Sequence, residues 1–318
     1  MARQQKKMMK YFQHAAAARA RFASLVSMAL LVMSPLQLFA APALTDPLEA
    51  KCWAKYARER TVSDRSDGTR SVGFANIRDG MRVYSPFRAE FAIRGMGVVP
   101  AGQKREGTGH HHILIDTKLP VDVSASMPFT DKYQHYGKGQ TNATLTLAPG
   151  KHTLRLLFAD FEHKPYYVFS REMRIEVVAP RSSLAASGAP RVDAARFDES
   201  CKAWYENIIT EPGPVGSPAY FQNVRDEDRV QSPFVLRFGA EGLGVCAANV
   251  EVEKTGHFVL EVLKRDTLQR RIALADGQTQ FEFEAEPGTY NYRLQIVDGK
   301  GKALGPASRI SLTVAERN

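Results

Sequence analysis

The chain has 318 residues, enough for two domains of ordinary size, each with its own core. Lys and Arg number 43 against 34 Asp and Glu, a net charge of +9. Six of the basic residues (Arg3, Lys6, Lys7, Lys10, Arg19, Arg21) fall in residues 1–45, which hold no acid. The remainder carries 37 against 34, or +3, and offers no basic surface for nucleic acid.

The first segment reads as an export signal. After Arg21 no charge occurs until Asp46, and the apolar run Phe22–Met33 leads into Ser34-Pro35 and small residues. Ala41-Pro42-Ala43 fits the small-x-small cleavage pattern better than Leu38-Phe39-Ala40 does, which predicts a signal peptide over 1–43. An uncleaved signal is the expected route to a membrane, because no later segment is apolar enough to cross one. The expected location is periplasmic or secreted.

A short helix is expected over Pro47–Arg60, at the head of a first domain spanning 46–179. Strand patterns follow at Arg88–Ile93, His111–Ile115, Ala143–Leu147, Thr153–Phe158 and Met173–Val178. Asp79-Gly80 and Pro149-Gly150 mark turns. The small, polar stretch Pro180–Pro190 lies in a flexible linker, 180–197. A second helix is expected around Asp193–Ile208, and a second domain spans 198–318. Regular short strands without a long helical period predict an all-β chain: two tandem antiparallel β-sandwiches, immunoglobulin-like in broad shape, each preceded by a short helix.

The two domains are copies. Ser85-Pro86-Phe87, Gly95–Val98 and Thr108-Gly109-His110 recur at a constant offset as Ser232-Pro233-Phe234, Gly242–Val245 and Thr255-Gly256-His257. A smaller offset then matches Gly139-Gln140-Thr141 to Gly277-Gln278-Thr279, Pro149-Gly150 to Pro287-Gly288, and Arg155 and Asp160 to Arg293 and Asp298. One deletion in the second copy accounts for the change. Cys52 and Tyr56 match Cys201 and Tyr205. Export permits a disulfide, and three cysteines leave one thiol over. Matched positions predict a Cys52–Cys201 bond with Cys246 free; Cys201–Cys246 is the competing pair.

Six histidines lie in the first copy: His110, His111, His112, His135, His152 and His163. The second keeps one, His257, matching His110. Scaffold residues survive in both copies and the histidines do not. In the second copy Phe258, Leu260 and Val262 form an alternating apolar face, so His111, Ile113 and Ile115 are expected to point inward. His110 and His112 then share the other face with Asp116. Two imidazoles side by side on one strand can converge on a Zn²⁺ or Cu²⁺ ion. His135, in the loop shortened in the second copy, is the first choice for a third ligand. His163 is the second, with Asp160 and Glu162 nearby. His152 matches Tyr290 and is expected to pack or bond locally. The competing explanation is plain surface polarity, with His111 a core residue.

Other patterns carry no chemistry. Lys51, Lys55, Arg58 and Arg60 read as a solvated helix face. Gly137-Lys138-Gly139-Gln140 lacks the helix and Lys-Ser/Thr of a phosphate loop. No Gly-x-Ser-x-Gly elbow occurs.

Thr108-Gly-His-His-His-Ile-Leu-Ile-Asp116, with His135–Thr141 and Leu147–Leu154, resembles a bacterial secreted family designated domain of unknown function 4399. The likeness covers about residues 75–178, and the second copy resembles a degenerate member. It implies a fold but no activity. The residues therefore predict a periplasmic binding protein holding copper or zinc through His110, His112, His135 and His163. The alternative is a metal-free interaction module for a cell-envelope protein or a glycan. A metal-dependent enzyme ranks third, because no general base or nucleophile can be singled out.

Overall fold

The computed structural model describes residues 41, 43–62, 70–213 and 216–316. The expected signal peptide lies outside these, apart from Ala41 and Ala43. Among the described residues no helix is long and apolar enough to cross a membrane.

The first copy begins with helices α1 (Pro47–Lys55) and α2 (Ala57–Thr61). Strands follow as β1 (Ser71–Phe74), β2 (Met81–Ser85), β3 (Phe87–Arg94), β4 (Gly97–Val98), β5 (Thr108–Ile115), β6 (Tyr133–Tyr136), β7 (Asn142–Leu145), β8 (Gly150–Ala159), β9 (Pro165–Phe169) and β10 (Met173–Pro180). The stretch expected as a linker holds a helical turn, Arg181–Ser183, and the short α3 (Leu184–Ser187). Helix α4 (Phe197–Ile209) opens the second copy. Its strands are β11 (Ala219–Phe221), β12 (Arg229–Gln231), β13 (Phe234–Ala240), β14 (Gly244–Val245), β15 (Thr255–Lys264), β16 (Thr267–Ala273), β17 (Gln280–Phe283), β18 (Gly288–Val297) and β19 (Ser308–Ala315).

Each copy is a β-sandwich. In the first, a three-stranded sheet β1-β3-β7 faces a larger one, β2-β10-β8-β5-β4, with β6 on β5 and β9 on β8. The second repeats this as β11-β13-β17 and β12-β19-β18-β15-β14, with β16 on β15. Most pairings are antiparallel, as expected. The outer ones are parallel: β2 on β10 and β4 on β5, then β12 on β19 and β14 on β15. Alternation sets the core. Phe87, Ala89, Phe91 and Ile93 of β3 pack in one cluster with Ile113, Ile115, Leu154, Leu156 and Phe158.

The repeated motifs now have physical reasons. Ser85 Oγ accepts from Leu147 N at 3.0 Å, and Ser232 Oγ from Ala285 N at 3.0 Å. A Cβ on Gly109 would lie 2.1 Å from Ala159 O, and one on Gly256 would lie 2.2 Å from Val297 O. Gly-Gln-Thr builds the seam between the copies. Val98 N donates to Gly277 O at 2.9 Å while Val245 N donates to Gly139 O at 2.7 Å. Ile93 N donates to Thr279 Oγ1 and Ala240 N to Thr141 Oγ1, at 3.0 and 2.8 Å. Matched residues exchange matched bonds, which is the signature of a two-fold relation inside one chain.

The helices cross that seam. Asn76 Nδ2 donates to Ile209 O at the end of α4 (2.7 Å), and the matched Asn223 Nδ2 donates to Arg60 O in α2 (2.9 Å). Each copy's leading helix therefore seats on the other copy's sandwich. Arg60 adds bonds to Asn223 O and Asp228, at 3.1 and 3.4 Å. Cys52 and Cys201 are bonded as matched position predicts, with Cα atoms 5.4 Å apart, and Cys246 is free and buried. Trp53, Trp204 and Tyr205 pack around the bridge.

Candidate metal centre

Strand β5 sorts its three histidines by phase. His111 points into the sandwich, its ring centroid 5.2 Å from Phe91 and 5.1 Å from Phe158. His110 and His112 occupy the opposite face, opposite Ala159 and Leu157 of β8. That face is covered rather than open: His110 and His112 are both 0 % exposed. The segment between β5 and β6 folds over it, burying Met127 against Leu114, Leu157 and Ala159.

His135 joins the pair, but from a strand. It lies on β6, directly opposite His112, where a loop position was expected. Tyr133–Tyr136 has the β-prone composition to extend the sheet. The residues special to this copy sit one step earlier, between Ile115 and Tyr133. In the second copy the same pairing survives as Val259 opposite Ala273.

His163 arrives from the turn between β8 and β9. Asp160 Oδ1 accepts from Glu162 N (2.8 Å) and Lys164 N (2.9 Å) and shapes that turn. Asp298 does the same for Lys300 N and Lys302 N, at 2.9 and 2.8 Å. The backbone there is left-handed: φ is +66° at His163 and +80° at the matched Gly301. Glycine holds that conformation at little cost and a histidine does not. The turn thereby carries an imidazole at a position where the second copy has a glycine.

The four rings face one another. Centroids of His110 lie 4.9, 4.8 and 5.0 Å from those of His112, His135 and His163. His135 and His163 are 4.8 Å apart. His110, His135 and His163 each offer a nitrogen, all within 4.8 Å of one another. His112 stands outside that three-way set, yet its Nε2 is 3.0 Å from His110 Nε2. Nitrogens held at about 2.0–2.1 Å from one ion are separated by about 2.9 Å at a right angle and about 3.4 Å at a tetrahedral one, so the His110–His112 spacing suits two ligands of one ion.

Electrostatics favour the ligating form. Burial pushes His110 down to about 3, and neighbouring His135 and His163 lower it further. Burial takes His112 down to about 2, with His110 adding to it, and lowers His135 as well. Neutral imidazole is the form that binds a metal. Within the cluster, His110 Nδ1, His112 Nδ1 and His135 Nε2 are buried with no hydrogen-bond partner, as are both ring nitrogens of the core residue His111 and Nδ1 of His257.

Among the described residues no carboxylate joins the set. Asp116, expected on the same face, accepts from His152 Nδ1 and Thr153 N, both at 2.7 Å. His152 thus bonds locally. Glu162 pairs with Lys164 at 3.0 Å. Two residues escaped the sequence reading. Gly137 makes room for His135, since a Cβ there would lie 2.2 Å from its Cε1. The matched residue in the histidine-poor copy is Ala275, a difference visible in the repeat itself. Phe129 lies edge-on to His135 and His163, at 5.0 and 4.9 Å. It has no counterpart in the second copy, so the repeat offers no signal for it.

Fold and site together define a class: an all-β protein of two related sandwiches, one of which gathers four histidines. The chain belongs to the family described as domain of unknown function (DUF4399), whose model matches residues 89–178 and 236–315. No curated protein matches it. Solved structures similar to parts of the chain include the fibronectin(III)-like modules of Clostridium thermocellum CbhA, at 10 % identity, over 31 % of this chain and 99 % of that one, with a TM-score of 0.21. The FN1–FN3 domains of chicken CNTN1 match at 9 % identity over 76 % and 67 %, with a TM-score of 0.21. CopC from Methylosinus trichosporium OB3b matches at 18 % identity over 29 % and 89 %, with a TM-score of 0.19.

Proposed function

We propose that the protein is a periplasmic binding protein that holds one copper or zinc ion in its first sandwich, through His110, His135 and His163 with His112 as the fourth donor. The convergence of His110, His135 and His163, nitrogens within 4.8 Å, carries this reading. Borderline nitrogen donors without carboxylate oxygens suit copper and zinc, and suit magnesium or calcium poorly. The role is holding rather than catalysis. Among the described residues the gathered set of donors consists of histidines, and the neighbouring carboxylates Asp116 and Glu162 are bonded to His152 and Lys164 instead.

Elemental analysis of protein purified without a polyhistidine tag, after equilibration with micromolar Cu²⁺ or Zn²⁺, tests the reading. One equivalent retained through dialysis is the expected result; no retained ion would sink it. A second reading, a metal-free module that binds a glycan or an envelope protein, draws on the exposed Tyr167 and Phe169, whose rings meet edge-to-face at 5.1 Å. A chain that retains no metal yet binds a glycan array would favour that alternative.

A further inference from the structure

Phe129 has a place that neither the fold nor the ligand set requires. Its side chain is 62 % exposed, although a phenyl ring gains by burial. What it packs against is His135 and His163, the two half-buried donors, with interplanar angles of 81° and 77°. The other two, His110 and His112, are sealed behind them at 0 % exposure. The solvent side of the cluster is therefore the side that Phe129 covers.

The chain around Phe129 is pinned on both sides. Met127 is 3 % exposed, and its N–H donates to His163 O at 3.0 Å. Tyr133 N donates to Thr130 O at 3.0 Å. Between these anchors the free motion is rotation of the exposed phenyl ring, which takes place on a fast timescale for surface side chains. The covering segment is also specific to the histidine-rich copy. In the second, β15 and β16 are joined through Arg265 and Asp266, both in left-handed conformations.

Resting on the metal reading above, we propose that the Phe129 ring is the gate of this site: it admits and releases the ion by swinging off His135 and His163, while the ligand cage stays in place. A bound cation leaves stepwise, as water or a competing ligand replaces one imidazole at a time. An apolar ring over the two outer donors keeps such replacements away from the ion. A gate of this kind slows entry and exit together, and so sets rates without setting affinity.

The test is transfer of Zn²⁺, and separately Cu²⁺, from the loaded full chain to excess EDTA, followed by stopped flow. Phe129→Ala is expected to speed both release and uptake by about tenfold or more, with the dissociation constant changed by less than about threefold. Val121→Ala, on the same segment at 98 % exposure, is expected to behave as the parent. Phe129→Leu, which restores an apolar cover, should fall between. Unchanged rates in Phe129→Ala would overturn the gate. So would faster release matched by an equal loss of affinity, because the ring would then be holding ligand geometry. A parent chain that takes up neither ion removes the metal reading itself, and the gate with it.

Discussion

The same sheet face exists twice in this molecule, once on β5 and once on β15, and the two faces differ at few matched points. His110 has its counterpart in His257, buried to 7 % exposure. His112 opposite His135 becomes Val259 opposite Ala273, with the pairing intact. Gly137 becomes Ala275, and His163 becomes Gly301. The two sheets, the Asp160/Asp298 turn and the seam are shared, whereas β9 and the long segment between β5 and β6 belong to the first copy alone. A sandwich of this kind can therefore gain or lose a site without rebuilding, because the strand pairs and the Asp160/Asp298 turn fix where side chains point whatever those side chains are. At that one turn the second copy has a glycine, which holds the left-handed backbone at little cost, and the first copy has a histidine, which carries the cost.

The sharpest way to break the comparison is to substitute matched histidines. His110→Ala should weaken copper or zinc binding by more than the roughly 10–100-fold that follows loss of a mere supporting partner, and His257→Ala should leave binding unchanged. Equal losses by titration calorimetry would show that the copies do not differ in the way proposed. The second test moves one position along. His111 matches Phe258, and both are 0 % exposed in the core. Each, replaced by Ala, should cost about 3 kcal/mol in urea unfolding, with ion affinity kept in both. A loss of affinity in His111→Ala would mean that the strand phase does not separate packing from binding.

Acid should separate the copies as well. His110, His111 and His112 are held near 3, 3 and 2, chiefly by burial. In the unfolded chain each titrates near about 6.5. Between those values the unfolded chain binds more protons, so stability is full above about pH 6.5 and falls as the pH drops toward 3. Glu90, raised to about 7 chiefly by its burial, works the other way, but it is one group against three. Metal-free protein should unfold at lower urea at pH 5 than at pH 7, and the shift should shrink in His112→Val, the residue of the second copy. A flat profile would refute this. The smallest effect is expected at the turn. His163→Gly should raise stability by about 0.5–1 kcal/mol while weakening ion binding. Gly301→His should lower stability by a similar amount and create no site, and a thermal melt reads both.

Much of this was legible in the repeat. The two copies could be aligned on Ser-Pro-Phe, Gly-x-Gly-Val and Gly-Gln-Thr without any relative, and the alignment placed Cys52 against Cys201. Alternation in Phe258, Leu260 and Val262 was enough to turn His111 inward, because a strand has only two faces. His135 and His163 stood out because the second copy holds no histidine at the matching places. What could not be read were the relations between distant segments. Burial of His110 and His112 depends on Met127 folding back over the sheet, and nothing in the local pattern of residues 117–132 announces that. His135 was assigned to the shortened loop because a gap in a repeat has no fixed position. The crossing of the helices depends on Asn76 and Asn223 meeting carbonyls far along the chain, whereas amphipathic spacing says only that a helix has a buried side.

That crossing changes what a cut in the chain would do. Gly188, at the end of α3, is exposed, and residues 188–192 are in no helix or strand. A protease nick there would yield two fragments, each holding its partner's helix and each held by its own, with the Cys52–Cys201 bond still joining them. On a gel without reductant the nicked protein would run as one species. The proposed ligands His110, His112, His135 and His163 would all remain on the same fragment, so the nicked protein is expected to bind copper or zinc as the intact chain does. The two copies are thus clasped rather than strung together, and neither can be taken away without leaving the other open.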